Sequence, residues 1–161
     1  MAAAVSGCAV SGLNLVNDHR LRFESPPSRA HVHLPLSLSW TIRDFTPVQR
    51  GSEPPSHDRG YFGIFVDRAP VGPGETLESI AHDDTACKRT PGCPDASYLT
   101  NRQIYTTTRT RLVLDHVDNL IGSHEHQQLH EVTVILVDSS GNRIGEGAWH
   151  VDFWLRQAGS T

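Results

Sequence analysis

What the chain does not contain narrows it before any motif is read. Nothing in it approaches the ~20 consecutive apolar residues that a membrane-crossing helix needs. Positive charge is in deficit: 14 Lys and Arg stand against 18 Asp and Glu, a net charge of −4. A surface that tracks phosphates needs an excess of Lys and Arg, so nucleic acid is not an expected partner. No basic run or RNA-binding aromatic signature appears. The sequence has no G-x-S-x-G, no H-E-x-x-H and no Ser/His/Asp set that spacing can pick out. Gly72-Pro73-Gly74 is too short and too proline-bound to cradle phosphate. The expectation is a chain that is not an enzyme and carries no cofactor. Cysteine is scarce, with 3 in 161 residues, and no second pair exists to complete a four-cysteine zinc site.

Two-residue periodicity is plentiful. In residues 130–156, HEVTVILVD and WHVDFWLR flank SSGNRIGEGA, which is how a β-hairpin reads. Trp149, Val151, Phe153 and Leu155 share one parity, opposite His150, Asp152 and Arg156, as in a strand with one face in a core. Val132 to Val137 is apolar on both parities and suits a strand covered on both sides. Val32, Leu34, Leu36, Leu38, Trp40 and Ile42 predict one long strand. Pro35 marks a sheet edge, a bulge or a change of partner within it, because it cannot donate to a ladder. Residues 21–24 read as a short edge strand, residues 60–68 as another buried strand, and residues 106–117 as a Thr- and Val-rich one. Residues 46–59 are loop by composition.

Strands separated by turn signals predict an all-β fold, an immunoglobulin- or fibronectin-like antiparallel β-sandwich. The boundaries are a flexible segment at 1–18, the sandwich at 19–157 and a tail at 158–161. The segment 69–103 has no strong strand signal and is a large insertion for so small a sandwich, the kind of place where function sits. Within it TLESIAHDD suits a turn or two of helix and CKRTPGCPD a compact loop.

Cys87 and Cys93 enclose KRTPG. A disulfide is the favoured reading over free thiols or half a zinc site; it implies an oxidising compartment and staples the insertion. No metal site is expected, and the candidates that come nearest are His124, His126 and His130, three imidazoles within seven residues. His124 and His126 fall in a loop, and the ring of His130 can simply bond that loop's backbone. Asp67, Asp83, Asp84 and Asp95 cluster in or beside the insertion without EF-hand spacing, and Asp67-Arg68 suits an ion pair that orders the loop.

Val5-Ser6-Gly7-Cys8 is similar to a bacterial lipobox, in which small residues precede a cysteine that receives diacylglycerol. No Lys or Arg precedes Cys8, and the apolar part is only residues 2–5, against the roughly 7–15 residues of an export signal's apolar region. The start of that signal is therefore expected to be missing. The stretches GLNLVNDHRLRFESP, LPLSLSWTIRDF, GYFGIFVDRAPVGPGETL, CKRTPGCPDASYL and HEVTVILVDSSGNRIGEGAWHVDF resemble a family of uncharacterised actinobacterial envelope lipoproteins with an immunoglobulin-like domain. The resemblance implies lipid attachment at Cys8 and an exported domain. The expected function is a lipid-anchored, non-catalytic binding or structural module of the cell envelope. Its membrane contact would be through the lipid only, and its partner an envelope protein or glycan that meets the stapled insertion. Two alternatives are metal binding by the His-rich loop and service as an accessory domain of an envelope enzyme.

Overall fold

The computed structural model describes residues 18–120 and 127–156. They form nine strands: β1 (Leu21–Ser25), β2 (Ala30–Val32), β3 (Leu36–Ile42), β4 (Thr46–Pro47), β5 (Arg59–Val66), β6 (Ile104–Thr107), β7 (Arg111–Leu114), β8 (Gln127–Val137) and β9 (Trp149–Arg156). A smaller sheet has the order β1-β3-β7, and a larger one runs β2-β9-β8-β5-β4 with β6 also paired to β5. The smaller sheet is antiparallel throughout. The larger is mixed, because β2 lies parallel to β9 and β4 parallel to β5. The wholly antiparallel expectation is corrected at those two edges.

Side-chain parity assembles the core. On β5 the residues Phe62, Ile64 and Val66 pair with Leu136, Val134 and Val132 of β8, and Val151 and Phe153 of β9 continue the same face. Facing them are Leu36, Leu38 and Trp40 of β3 and Leu114 of β7, all in one buried cluster. Trp40 meets Phe62 edge-on at 5.3 Å and Phe23 at 6.2 Å, the T-shaped arrangement that aromatic quadrupoles favour. The two sheets thus share one apolar layer.

The apolar parity on the other side of β5 and β8 needs a second cover, and the insertion supplies it. Tyr61, Phe65, Ile135 and Val137 pack with Val71, Leu77, Leu99 and Ile104 in a separate buried cluster. The insertion is folded into a 3-10 turn (Leu77–Ala81) and two short helices, α1 (Thr85–Arg89) and α2 (Ala96–Thr100), and Leu77 of the turn and Leu99 of α2 cover the outer face of the sheet. The compact loop expected around the cysteines is corrected here, since Cys87 sits on α1 and is buried.

Two further expectations are corrected by chain crossings. The single strand expected from Val32 to Ile42 is divided at Pro35: β2 joins the larger sheet and β3 the smaller. Pro35 is the change of partner. The strand expected over residues 106–117 likewise splits into β6 on β5 and β7 on β3. No Gly or Pro punctuates TTTRT, so that crossing leaves no mark in the sequence.

Candidate functional site

The base of the insertion is closed by one backbone bond and one side-chain bond. Val66 N donates to Gln103 O at 3.0 Å, and the Arg68 guanidinium donates to Arg102 O at 2.6 Å. Asp67 does not pair with Arg68. Its carboxylate accepts from Glu131 N at 2.9 Å and bonds His130 Nδ1 at 2.6 Å. His130 lies opposite Phe153 in the β8–β9 register, is 2% exposed and stacks on that ring at 6.0 Å. The expected bond of its ring to loop backbone is replaced by this carboxylate pair. Such a histidine is a core component whose Nδ1 is already occupied. His124 and His126 lie outside the described residues. Among the described residues no group of three or more His, Cys, Asp or Glu is placed to hold a metal ion.

The four aspartates that looked like a cluster are separated by the fold. Asp83 sits in the open beside His82, and Asp95 caps α2 by accepting from Tyr98 N at 2.7 Å. Asp84 does more. One of its oxygens accepts from Ala86 N and Cys87 N, both at 3.0 Å, which satisfies free donors at the start of α1. The other accepts from the Tyr98 hydroxyl and from Arg102, both at 3.1 Å, and Arg102 lies 3.6 Å over the Tyr98 ring. Asp84 therefore joins α1 to α2, and the Cys87–Cys93 disulfide, with Cα atoms 5.3 Å apart, joins α1 to the loop before α2.

The backbone bond from Cys87 is the largest influence holding the Asp84 carboxyl below its ordinary pKa; the Tyr98 hydroxyl, Ala86 N and Arg102 add to it against the opposing effect of burial. A folded value below the unfolded one means that the ionised carboxylate stabilises the fold at any pH above the unfolded value. That contribution is lost as pH falls through the lower, folded value. A carboxyl-carbon NMR titration should place the Asp84 midpoint below that of an unstructured aspartate, with the Cys87 and Ala86 amide signals moving in step. An ordinary midpoint, or amides that stay still, would show that this junction does not exist in solution.

The hairpin loop fastens the insertion from the other side. Leu77 N donates to Gly141 O at 3.0 Å and Arg143 N to Glu75 O at 2.8 Å. The buried Arg143 guanidinium donates to Val71 O at 2.6 Å, Glu146 O at 2.9 Å and Gly147 O at 3.3 Å. Asp138 orders the same loop by accepting from Ser140 N and Asn142 N at 2.8 and 3.0 Å.

Between this layer and the edge of the larger sheet is a cleft of about 360 Å³. The insertion contributes Leu77, Pro94 and Leu99, the loop after β4 contributes Gln49 and Arg50, and Thr106, Thr107 and Thr108 line it from β6 and the turn beyond. Tyr61 of β5 is also in its lining. Its ring is 3% exposed, and among the described residues its buried hydroxyl has no hydrogen-bond partner. Leaving such a group without water or partner costs about 1–3 kcal/mol. Burial raises the pKa of this hydroxyl, the Arg50 charge lowers it and Asp138 raises it, so the group keeps its proton at neutral pH. Arg50 is itself paired with Glu78 and remains about half exposed, 48%. The cleft combines a protonated phenol, a guanidinium and an apolar floor, the mixture typical of small-molecule sites. Sequence reasoning missed Tyr61. The only signal was a polar-tipped ring at an outward parity in the apolar run YFGIFV.

A larger groove of about 1,350 Å³ lies between β1, residues 41–43 and residues 146–150. Its Asp18 and Arg20 are bonded to each other, and Trp149 Nε1 donates to Asp18 O at 2.8 Å. The Tyr61 cleft has the stronger claim because it contains a polar group with unmet demand. Comparison with protein-family models, curated proteins and solved structures returns no match to the chain. Cys8 lies outside the described residues.

Proposed function

We propose that the chain is an exported, lipid-anchored protein of the cell envelope, a non-catalytic binding module on an immunoglobulin-like sandwich. The observation that carries this reading is the stapled insertion. A disulfide persists in an oxidising compartment, and here it stabilises a layer that forms one wall of the Tyr61 cleft. The two facing sheets support the sandwich, and the lipobox-like Val5-Ser6-Gly7-Cys8 supports the anchor. Nothing in the described residues favours metal handling, because His130 is turned inward to Asp67.

The deciding experiment expresses the protein from its native locus with the upstream DNA, fractionates the cells and measures the mass of the N-terminal peptide. A diacylglyceryl adduct on Cys8 in the membrane fraction is expected. An intact Met1 in the cytosol with Cys87 and Cys93 reduced would overturn the proposal.

The staple itself has a local role. Closing a seven-residue loop is worth ~2.4 kcal/mol on loop-closure entropy. A Cys87→Ala/Cys93→Ala chain should therefore exchange amide hydrogens faster across residues 77–100 while β5, β8 and β9 stay protected. Equal loss of protection everywhere would contradict a local role.

A further inference from the structure

We propose that the Tyr61 cleft binds a small organic carboxylate, with its acid group between the Arg50 guanidinium and the Tyr61 hydroxyl and its apolar body on Leu77, Pro94 and Leu99. This deepens the binding-module reading by naming the ligand's chemistry. The Tyr61 hydroxyl is a protonated donor with no acceptor among the described residues. Arg50 presents a planar fork of donors, of which Nη2 faces Glu78, so the rest of the fork can accept a second carboxylate. Phenol and guanidinium both donate, and that selects an acceptor bearing negative charge over an amine. Leu77, Pro94 and Leu99 line the cleft and offer a hydrocarbon body packing contacts that inorganic phosphate cannot use. A volume of about 360 Å³ lies near the small end of ligand sites and suits a ligand of modest size. Asp95 also lines the cleft, where it caps α2 by accepting from Tyr98 N; its charge opposes an anion beside it, which places the ligand's acid on the Arg50 side.

The test is an NMR titration of the isotopically labelled full chain with hexanoate, 4-phenylbutyrate and N-acetyl-leucine. Hexylamine and hexan-1-ol serve as matched controls. The carboxylates should shift the amides of Leu77, Leu99, Thr106 and Thr107 saturably, and bind at least about tenfold more tightly than the amine or alcohol. Arg50→Met should weaken binding by about tenfold or more, and Tyr61→Phe by a few-fold. Folding of each variant is checked by unchanged signals from the smaller sheet; Gln49→Ala, at the cleft's rim, serves as a second probe with shifts confined to the cleft. The proposal is overturned if none of the three acids gives saturable shifts, if amine and acid bind alike, or if a folded Arg50→Met chain binds as tightly as the parent. The titration does not depend on export, so its failure leaves the Cys8 reading standing, and a cytosolic protein could still bind the acid.

Discussion

Gly60→Ala should cost more than about 4 kcal/mol, a loss at the far end of what single substitutions do. A β-carbon at this position would stand 1.9 Å from the Val137 carbonyl oxygen, 2.8 Å from its carbon and 2.9 Å from Asp138 Cα. All three neighbours are backbone, so no rotamer change relieves the clash. Val137 cannot retreat either, because it pairs with Tyr61, is fully buried and belongs to the cluster under the insertion. The strands would have to part where β5 meets β8, the seam that both apolar layers share. Gly51→Ala is the control. A β-carbon there meets nothing within 4 Å, and the cost is only that of a positive φ of 71°, about 1–2 kcal/mol. Denaturant unfolding followed by tryptophan fluorescence compares the two, and a Gly60→Ala chain within about 1 kcal/mol of the parent would show that β5 and β8 do not approach this closely.

Replacing Arg143 should produce the second large loss, about 3 kcal/mol for Arg143→Met, since bonds from charged donors are worth more than neutral ones. Methionine preserves much of the apolar stem, so the measured change reports the guanidinium. That group, with Arg143 9% exposed, holds three carbonyl oxygens from two segments. Burial is the main influence lowering its pKa, and the Glu146 charge partly restores it; arginine still keeps its proton throughout the working range. Arg143→Lys should recover only part of the loss, because one ammonium cannot span Val71 on one side and Glu146 and Gly147 on the other. Unfolding free energies of both variants, together with hydrogen exchange at residues 71–77, check this. A neutral Arg143→Met would mean that the hairpin loop does not hold the insertion.

The hairpin was legible because its two apolar parities extend over whole strands, and Trp149, Val151, Phe153 and Leu155 do face inward or pack against the core. The doubly apolar runs of β5 and β8 announced a cover on both faces but not its source. The covering helices have five residues each, too few to show a helical period. Pro35 showed that something changes within its strand, yet the parity of Leu34 and Leu36 continues across it and concealed the move to another sheet. The His130–Asp67 bond joins residues 63 apart, and the Tyr61 cleft gathers side chains from loop, sheet and insertion. Such long-range neighbours leave no periodic trace. Spacing alone therefore suggested a histidine group, where the fold uses one member as a core side chain.

The crossing at Pro35, and its counterpart between β6 and β7, also bear on how this architecture can be rearranged. Each of the two stretches lends one strand to either sheet, so no cut through the backbone separates a sheet as an inheritable piece. Exchanging either stretch whole takes one strand from each sheet, and a break inside it leaves one sheet short of a strand. The portable unit for shuffling, grafting or circular permutation is accordingly the whole pair of sheets. The stapled layer, by contrast, leaves and rejoins the chain next to β5 and β6, so it can be exchanged as a unit for a segment that keeps an apolar cover over Phe65, Ile135 and Val137.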